Sequence, residues 1–111
     1  MDQNSDLILV LVTAPDQDSA ELLAKTLVEK KLAACVNLYP GLKSIYRWDG
    51  DVHEDKEMLL MIKTQATLFE DQLIPLVQEL HPYDTPEIIA LPIVAGEKNY
   101  LDWIQSETEI K

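Results

Sequence analysis

The stretch Leu42-Lys43-Ser44-Ile45-Tyr46-Arg47-Trp48-Asp49-Gly50-Asp51-Val52-His53 decides the fold. Its Asp49-Gly50 pair is a strong signal for a two-residue hairpin turn, because both turn positions need a positive φ that glycine and aspartate tolerate. On the incoming side, Leu42, Ser44, Tyr46 and Trp48 fall on one face of a strand, and Lys43, Ile45 and Arg47 on the other. The return strand runs from Val52 to Thr64. Its second half, Met58 to Ile62, is apolar on both faces, as in a strand covered from both sides. Upstream, Ala33 to Tyr39 reads as the first half of the incoming strand, and Pro40-Gly41 interrupts it with a bend.

Length makes this hairpin unusual. The 16 residues from Ala33 to Trp48 would reach roughly 50 Å at about 3.3 Å each, whereas a compact chain of this size is only about 35 Å across. The hairpin must bend or protrude. Its tip carries Tyr46 and Trp48, large aromatics whose simplest cover is the sheet of a neighbouring subunit, so a homo-oligomer is expected.

Outward from the hairpin, Leu7 to Val12 is an unbroken apolar run that reads as a covered strand. Asp18 and Glu21 have capping-box spacing, and Ala20, Leu23, Ala24, Leu27 and Val28 recur with helical period up to Lys30-Lys31, basic residues that suit a helix end. A second capping box, Thr67 and Glu70, precedes the stripe Phe69, Leu73, Leu76, Val77 and Leu80. Pro75 inside that stripe predicts a kink or a later helix start. Ile88 to Val94 reads as a last strand, at a sheet edge because of Pro92, and Asn99 is expected to cap a short final helix. The order is β-α-β-β-α-β plus a short helix. This predicts an α+β, ferredoxin-like sandwich: an antiparallel sheet with two helices on one face and a long hairpin.

Composition bounds the partners. A chain of 111 residues with 47% hydrophobic residues has room for one folded domain, expected over residues 7–111 behind a disordered tail over residues 1–6. Twenty carboxylates against nine lysines and arginines leave a net charge of -11, which would repel nucleic acid. The longest apolar run, Ile88 to Ala95, is far short of the roughly 20 residues of a membrane span. The polar, acidic start and the single cysteine suit a cytoplasmic protein.

Few residues can carry chemistry. Three scattered glycines make no phosphate loop, and no nucleophile stands beside a base, so no enzyme is expected. Cys35 sits in the apolar run Ala33 to Val36 and reads as a core residue. Asp49, Asp51, His53, Asp55 and Glu57 alternate and would share a strand face, either as a solvated edge blunted by charge or as a row of cation ligands. His81 follows the second helix as a cap or a ligand. It opens the turn His81-Pro82-Tyr83-Asp84-Thr85-Pro86-Glu87, which crowds an imidazole, a phenol and carboxylates into a rigid loop of the kind that carries binding sites.

Thr13-Ala14-Pro15-Asp16, Lys31 to Asn37, Tyr46-Arg47-Trp48, Lys63-Thr64, His81-Pro82-Tyr83, Pro86-Glu87-Ile88 and Tyr100 to Trp103 together resemble the CutA family of divalent-cation-tolerance proteins. The likeness runs from about Leu7 to Trp103. It implies a ferredoxin-like fold, a tight homotrimer built through long hairpins, and a role in tolerance to copper and other divalent ions. Copper ligation proposed in the family uses a first-strand cysteine and a His-His pair after the second helix. Here those positions hold Val12 and Leu80-His81, so of the metal-ligating residues only His81 and Cys35 carry over, and fewer soft ligands imply weaker binding.

Two functions of different class are therefore expected. One is a non-enzymatic trimer that responds to divalent metal ions, copper among them, through His81 and carboxylates, with no cofactor required. The other is a trimeric signalling or scaffold module that binds a small molecule or partner in an intersubunit cleft lined by Tyr46, Trp48, Glu57, Lys63, His81, Tyr83 and Trp103.

Overall fold

The computed structural model describes residues 6 to 109, so the expected disordered tail lies, apart from Asp6, outside the described residues. The elements are β1 (Leu7–Ala14), α1 (Gln17–Glu29), β2 (Cys35–Trp48), β3 (Asp51–Gln65), α2 (Ile74–Leu80), β4 (Ile88–Pro92) and α3 (Lys98–Glu107). The four strands form one antiparallel sheet in the order β2-β3-β1-β4. This is the ferredoxin-like arrangement expected from the order of elements.

Strand alternation sorts the apolar residues into two faces. Ile8, Val10, Val12 and Ala14 of β1 and Met58, Leu60 and Ile62 of β3 are buried beneath the helices. They pack with Ala20, Leu23, Ala24 and Leu27 of α1 and with Leu73 and Val77 at α2. The opposite face is covered only at one end, where Leu101 and Ile104 of α3 close over Leu7 and Ala34. Beyond that patch, Leu9, Leu11, Leu59, Met61, Ile89, Leu91 and Tyr39 form a continuous apolar surface. The strand pairing sets Leu11 beside both Met61 and Ile89, and Leu59 beside Tyr39.

The interruption at Pro40-Gly41 is a β-bulge inside one continuous strand. Tyr39 pairs with Leu59, but Leu42 pairs with Glu57, so β2 holds one residue more than β3 across this step. Gly41 takes φ +81, where a β-carbon would be strained. The extra residue reverses the alternation. Leu42, Ser44, Tyr46 and Trp48 thereby share the face of Cys35, Asn37 and Tyr39, the face that α1 and α2 leave open. The hairpin then closes at Asp49 (φ 53) and Gly50 (φ 84), the conformations its sequence requires. It protrudes as well as bends: the molecule measures 45 × 25 × 23 Å.

Helix ends differ from the sequence expectation in instructive ways. The carboxylate of Asp16, not Asp18, caps α1 by accepting the Ser19 N–H at 2.8 Å, and the bonds from Ser19 hold its pKa below the ordinary value. Lys30 and Lys31 lie just past the helix, and Lys31 turns the chain with φ 61. The Thr67–Glu70 box does not form. Ala66–Leu68 is a 3₁₀ turn, Phe69–Leu73 a π turn, and regular α-helix starts at Ile74, which leaves Pro75 in the first turn where its missing N–H breaks no bond. α3 is capped by Glu97 rather than Asn99, its carboxylate accepting the N–H groups of Asn99 and Tyr100 at 3.0 and 2.9 Å. β4 is an edge strand as expected, and it stops at Pro92.

One core position is polar without compensation. The Thr64 hydroxyl is fully buried and has no hydrogen-bond partner. An unpaired buried hydroxyl costs about 1–3 kcal/mol, so Thr64→Val is expected to raise the urea midpoint by an equivalent of about 1 kcal/mol. Chemical denaturation of the two proteins side by side checks this, and a less stable valine variant would show that the hydroxyl is in fact satisfied.

Candidate functional site

A cavity of about 430 Å³ opens between the outer half of the hairpin and the loop joining α2 to β4, within the range of small-molecule sites. Ser44, Tyr46 and Trp48 of β2, Glu57 of β3, Thr13 of β1 and Tyr83, Asp84, Thr85 and Glu87 of the loop line it. The bulge supplies the first three. The alternation of β3 supplies Glu57, and the rigid loop brings its phenol and carboxylates across from the other side.

His81 holds that loop in place. It is the C-terminal cap of α2 and is only 7% exposed. Its Nε2 lies 2.7 Å from the Thr13 carbonyl, to which it donates, and its Nδ1 accepts the Tyr83 N–H at 3.1 Å. The tautomer follows from these partners, since an N–H can meet only a lone pair. Both ring nitrogens are thus engaged, and a metal would have to displace one of these bonds. The His81 and Tyr83 rings also pack together at 4.9 Å.

Tyr83 in turn donates its O–H to Glu57 at 3.1 Å. Burial and the adjacent Glu57 charge push the Tyr83 phenol up to about 12, because both disfavour the phenolate. Tyr46 donates to Asp55, and that bond, with burial and the Asp55 and Glu57 charges behind it, raises its pKa as well. Of the row expected to share a face, Asp51, His53, Asp55 and Glu57 do so on β3, whereas Asp49 sits in the hairpin turn with φ 53. Within it, however, Asp55 and Glu57 serve these phenols, and His53 reaches the Trp48 carbonyl at 3.1 Å while stacking on Tyr46 at 5.6 Å. Among the described residues no group of three His, Cys, Asp or Glu side chains is placed to hold a metal ion.

The expected site residues divide into two sets. Tyr46, Trp48, Glu57 and Tyr83 meet at the cavity, with His81 behind its wall. Lys63, Cys35 and Trp103 stand at the other end of the open face. Glu57 and Lys63 are six residues apart on β3, about 20 Å along an extended strand. There Lys63 donates to Asn37, the Cys35 thiol lies 3.8 Å from the same Asn37 side chain, and Trp103 packs on Tyr100 at 5.6 Å. Within one protomer Cys35 and His81 therefore do not form a common metal site. Cys35 is half-buried rather than in the core. Thr13 and Ser44 were not singled out from sequence. Their only signal is strand parity, and for Ser44 that parity acquires meaning only through the bulge.

Residues 8–107 match the sequence profile of the CutA1 divalent ion tolerance proteins. The chain belongs to the CutA1 family. A divalent-cation tolerance protein CutA of Thermus thermophilus is 53% identical over 100 residues, spanning 90% of this chain and 96% of that protein. The solved structure of CutA1 from Oryza sativa superposes with a TM-score of 0.91 at 44% identity, covering 97% of this chain and 98% of that one. That of the Thermus thermophilus protein gives 0.90 at 51% identity, covering 93% and 99%. The overall fold is accordingly common to all three.

The link between Glu57 and Tyr83 has a direct readout. In the parent, the Tyr83 phenol should keep its proton up to about pH 12. Glu57→Gln removes the charge but not the burial, which is the larger cause, so the midpoint should fall only part of the way towards the ordinary value near 10. Carbon-13 NMR titration of the tyrosine ring carbons checks this. A midpoint unmoved by the substitution would break the link.

Proposed function

We propose that this chain acts as a non-enzymatic homotrimer in tolerance of divalent metal ions, and that it works through the hairpin–loop cavity rather than by sequestering copper tightly. The observation that carries this reading is the state of His81. Both of its nitrogens are spent on shaping the cavity wall, while Tyr46, Trp48, Glu57 and Tyr83 converge on the cavity itself. The two remaining positions of the family's proposed copper set are apolar here. Val12 is fully buried in the core and Leu80 packs against it. Divalent ions, copper among them, then meet surface carboxylates, the exposed His53 and a His81 that must first give up a hydrogen bond, so they bind weakly.

The trimer is supported by the open face. A surface that sets half-buried Leu9, Leu11, Leu59 and Met61 beside exposed Ile89, Leu91 and Tyr39, continued by a Trp48 that is 59% exposed, is a contiguous apolar patch of the kind that marks an interface. Covering it with the sheets of neighbouring copies removes that surface, and three-fold closure follows the family resemblance. A signalling or scaffold role, with the cavity taking a small molecule at the subunit boundary, is the second reading, and the same cavity favours it. We place the protein in the cytoplasm, where an unpaired Cys35 stays reduced. Among the described residues no helix is long and apolar enough to cross a membrane.

Light scattering should report a single species at three times the 12.6 kDa protomer mass even on dilution. A folded 12.6 kDa species would end the trimer proposal. For the metal, calorimetry with copper should show weak binding that Val12→Cys with Leu80→His tightens by at least tenfold. A double variant no better than the parent means that those positions do not form a site in this chain.

A further inference from the structure

Glu57 is a buried carboxylate without a cation. It is 8% exposed, and its side chain accepts one hydrogen bond, from the Tyr83 hydroxyl to one oxygen. Among the described residues the ion pairs are Lys25 with Glu21 and Lys98 with Asp102, so none reaches Glu57. The cationic side chains of the hairpin cannot turn to it. Lys43, Arg47 and Lys56 alternate onto the opposite face, because Lys43 pairs with Lys56 while Glu57 pairs with Leu42. Removing a carboxylate from water without a counter-charge is strongly unfavourable. Around Glu57 the cavity adds Asp84 and Glu87 and no lysine or arginine. Within the protomer nothing supplies the positive charge, so it has to come from outside the chain, and the cavity lies open to a cation that enters.

The walls say what kind of cation fits. Tyr46, Trp48 and Tyr83 line the same cavity. The two phenols are held by their bonds to Asp55 and Glu57, so the rings are fixed in place before anything binds. A divalent metal ion needs converging carboxylate or imidazole ligands, and among the described residues no three such side chains are placed to hold one, Glu57, Asp84 and Glu87 included. A weakly hydrated organic cation is suited to such walls, since ring faces attract positive charge at short range and lose little to desolvation. The net charge of -11 raises the local concentration of any cation near the mouth.

We propose that the hairpin–loop cavity binds a small organic ammonium ion, with the charged nitrogen at Glu57 and its alkyl substituents against Tyr46, Trp48 and Tyr83. This rests on the reading of the cavity as the ligand site, and it adds the charge and class of the ligand. Glu57 selects for charge, and the aromatic trio selects against small hydrated ions.

The test uses the full-length protein in its solution assembly, with tetramethylammonium chloride and butylammonium chloride as probes. The neutral tert-butanol, magnesium chloride and sodium chloride at matched ionic strength serve as comparisons. Amide and indole NMR shifts and tryptophan fluorescence report binding. Saturable shifts at the Trp48 indole and the Tyr83 amide are expected with either ammonium ion and with none of the comparisons. The affinity should fall at least tenfold in Glu57→Gln. Trp48→Leu, at a position exposed in the protomer, should give the same loss and provides the answer if the Glu57 variant does not fold. Equal response to tert-butanol overturns the ammonium assignment while leaving the cavity a ligand site. Saturation by magnesium that competes with the ammonium probes also overturns it, in favour of a metal. An ammonium response unchanged in both variants overturns it by locating the binding elsewhere. No saturable response to any probe overturns it together with the ligand-site reading, the cavity then being filled by a neighbouring copy.

Discussion

One extra residue at Pro40-Gly41 determines where the chemistry of this protein lies. A strand without the bulge would carry Tyr46 and Trp48 on the same side as Val36 and Leu38, towards the helices. With it, β2 changes parity between Tyr39 and Leu42, and the aromatic tip joins the open face beside Glu57. The local requirement is small: a glycine that accepts φ +81 and a proline that donates no ladder bond. Its consequence reaches the whole molecule, because the cavity and the exposed aromatic surface both depend on that change of side.

The second constraint is a chain of hydrogen bonds that ties helix, loop and sheet together. The Thr13 carbonyl at the end of β1 accepts from His81, His81 accepts from the Tyr83 backbone, and the Tyr83 hydroxyl donates to Glu57 of β3. Each member restrains the next, so the loop between α2 and β4 is set against the sheet at two points. A histidine in this position acts as a brace. Its value to the site is geometric, and the same two bonds that make it a good brace leave it no free lone pair.

Apolar surface and charge are distributed in opposition along the long axis of the molecule. The middle of the open face is a band of leucine, isoleucine and methionine, whereas the outer half of the hairpin carries Asp51, Asp55 and Glu54 beside Ile45 and Val52. Acidic residues on a protruding ribbon discourage unplanned edge pairing, while an apolar band in the sheet centre favours a specific, extensive docking.

The sequence by itself determined the element order, the hairpin turn and the division of helical faces. Each of these follows from short-range physics: the positive φ at Asp49-Gly50, the two-residue alternation of strands and the period of helix α1. Sequence spacing was weaker at helix ends, where Asp16 outcompeted Asp18, and Glu97 outcompeted Asn99, for the same orphan N–H groups. The loop from His81 to Glu87 was legible as a crowded polar turn, but not as one wall of a cavity. Only the tertiary structure decided that Tyr46, Trp48, Glu57 and Tyr83 meet while Lys63, Cys35 and Trp103 stand apart, since their separation is a strand length that no local pattern encodes. It also decided that His81 is a brace and that Glu57 is buried without a partner charge. Both are properties of what lies opposite a side chain across the sheet, and partners 26 and 68 residues away in the chain are brought there by folding alone.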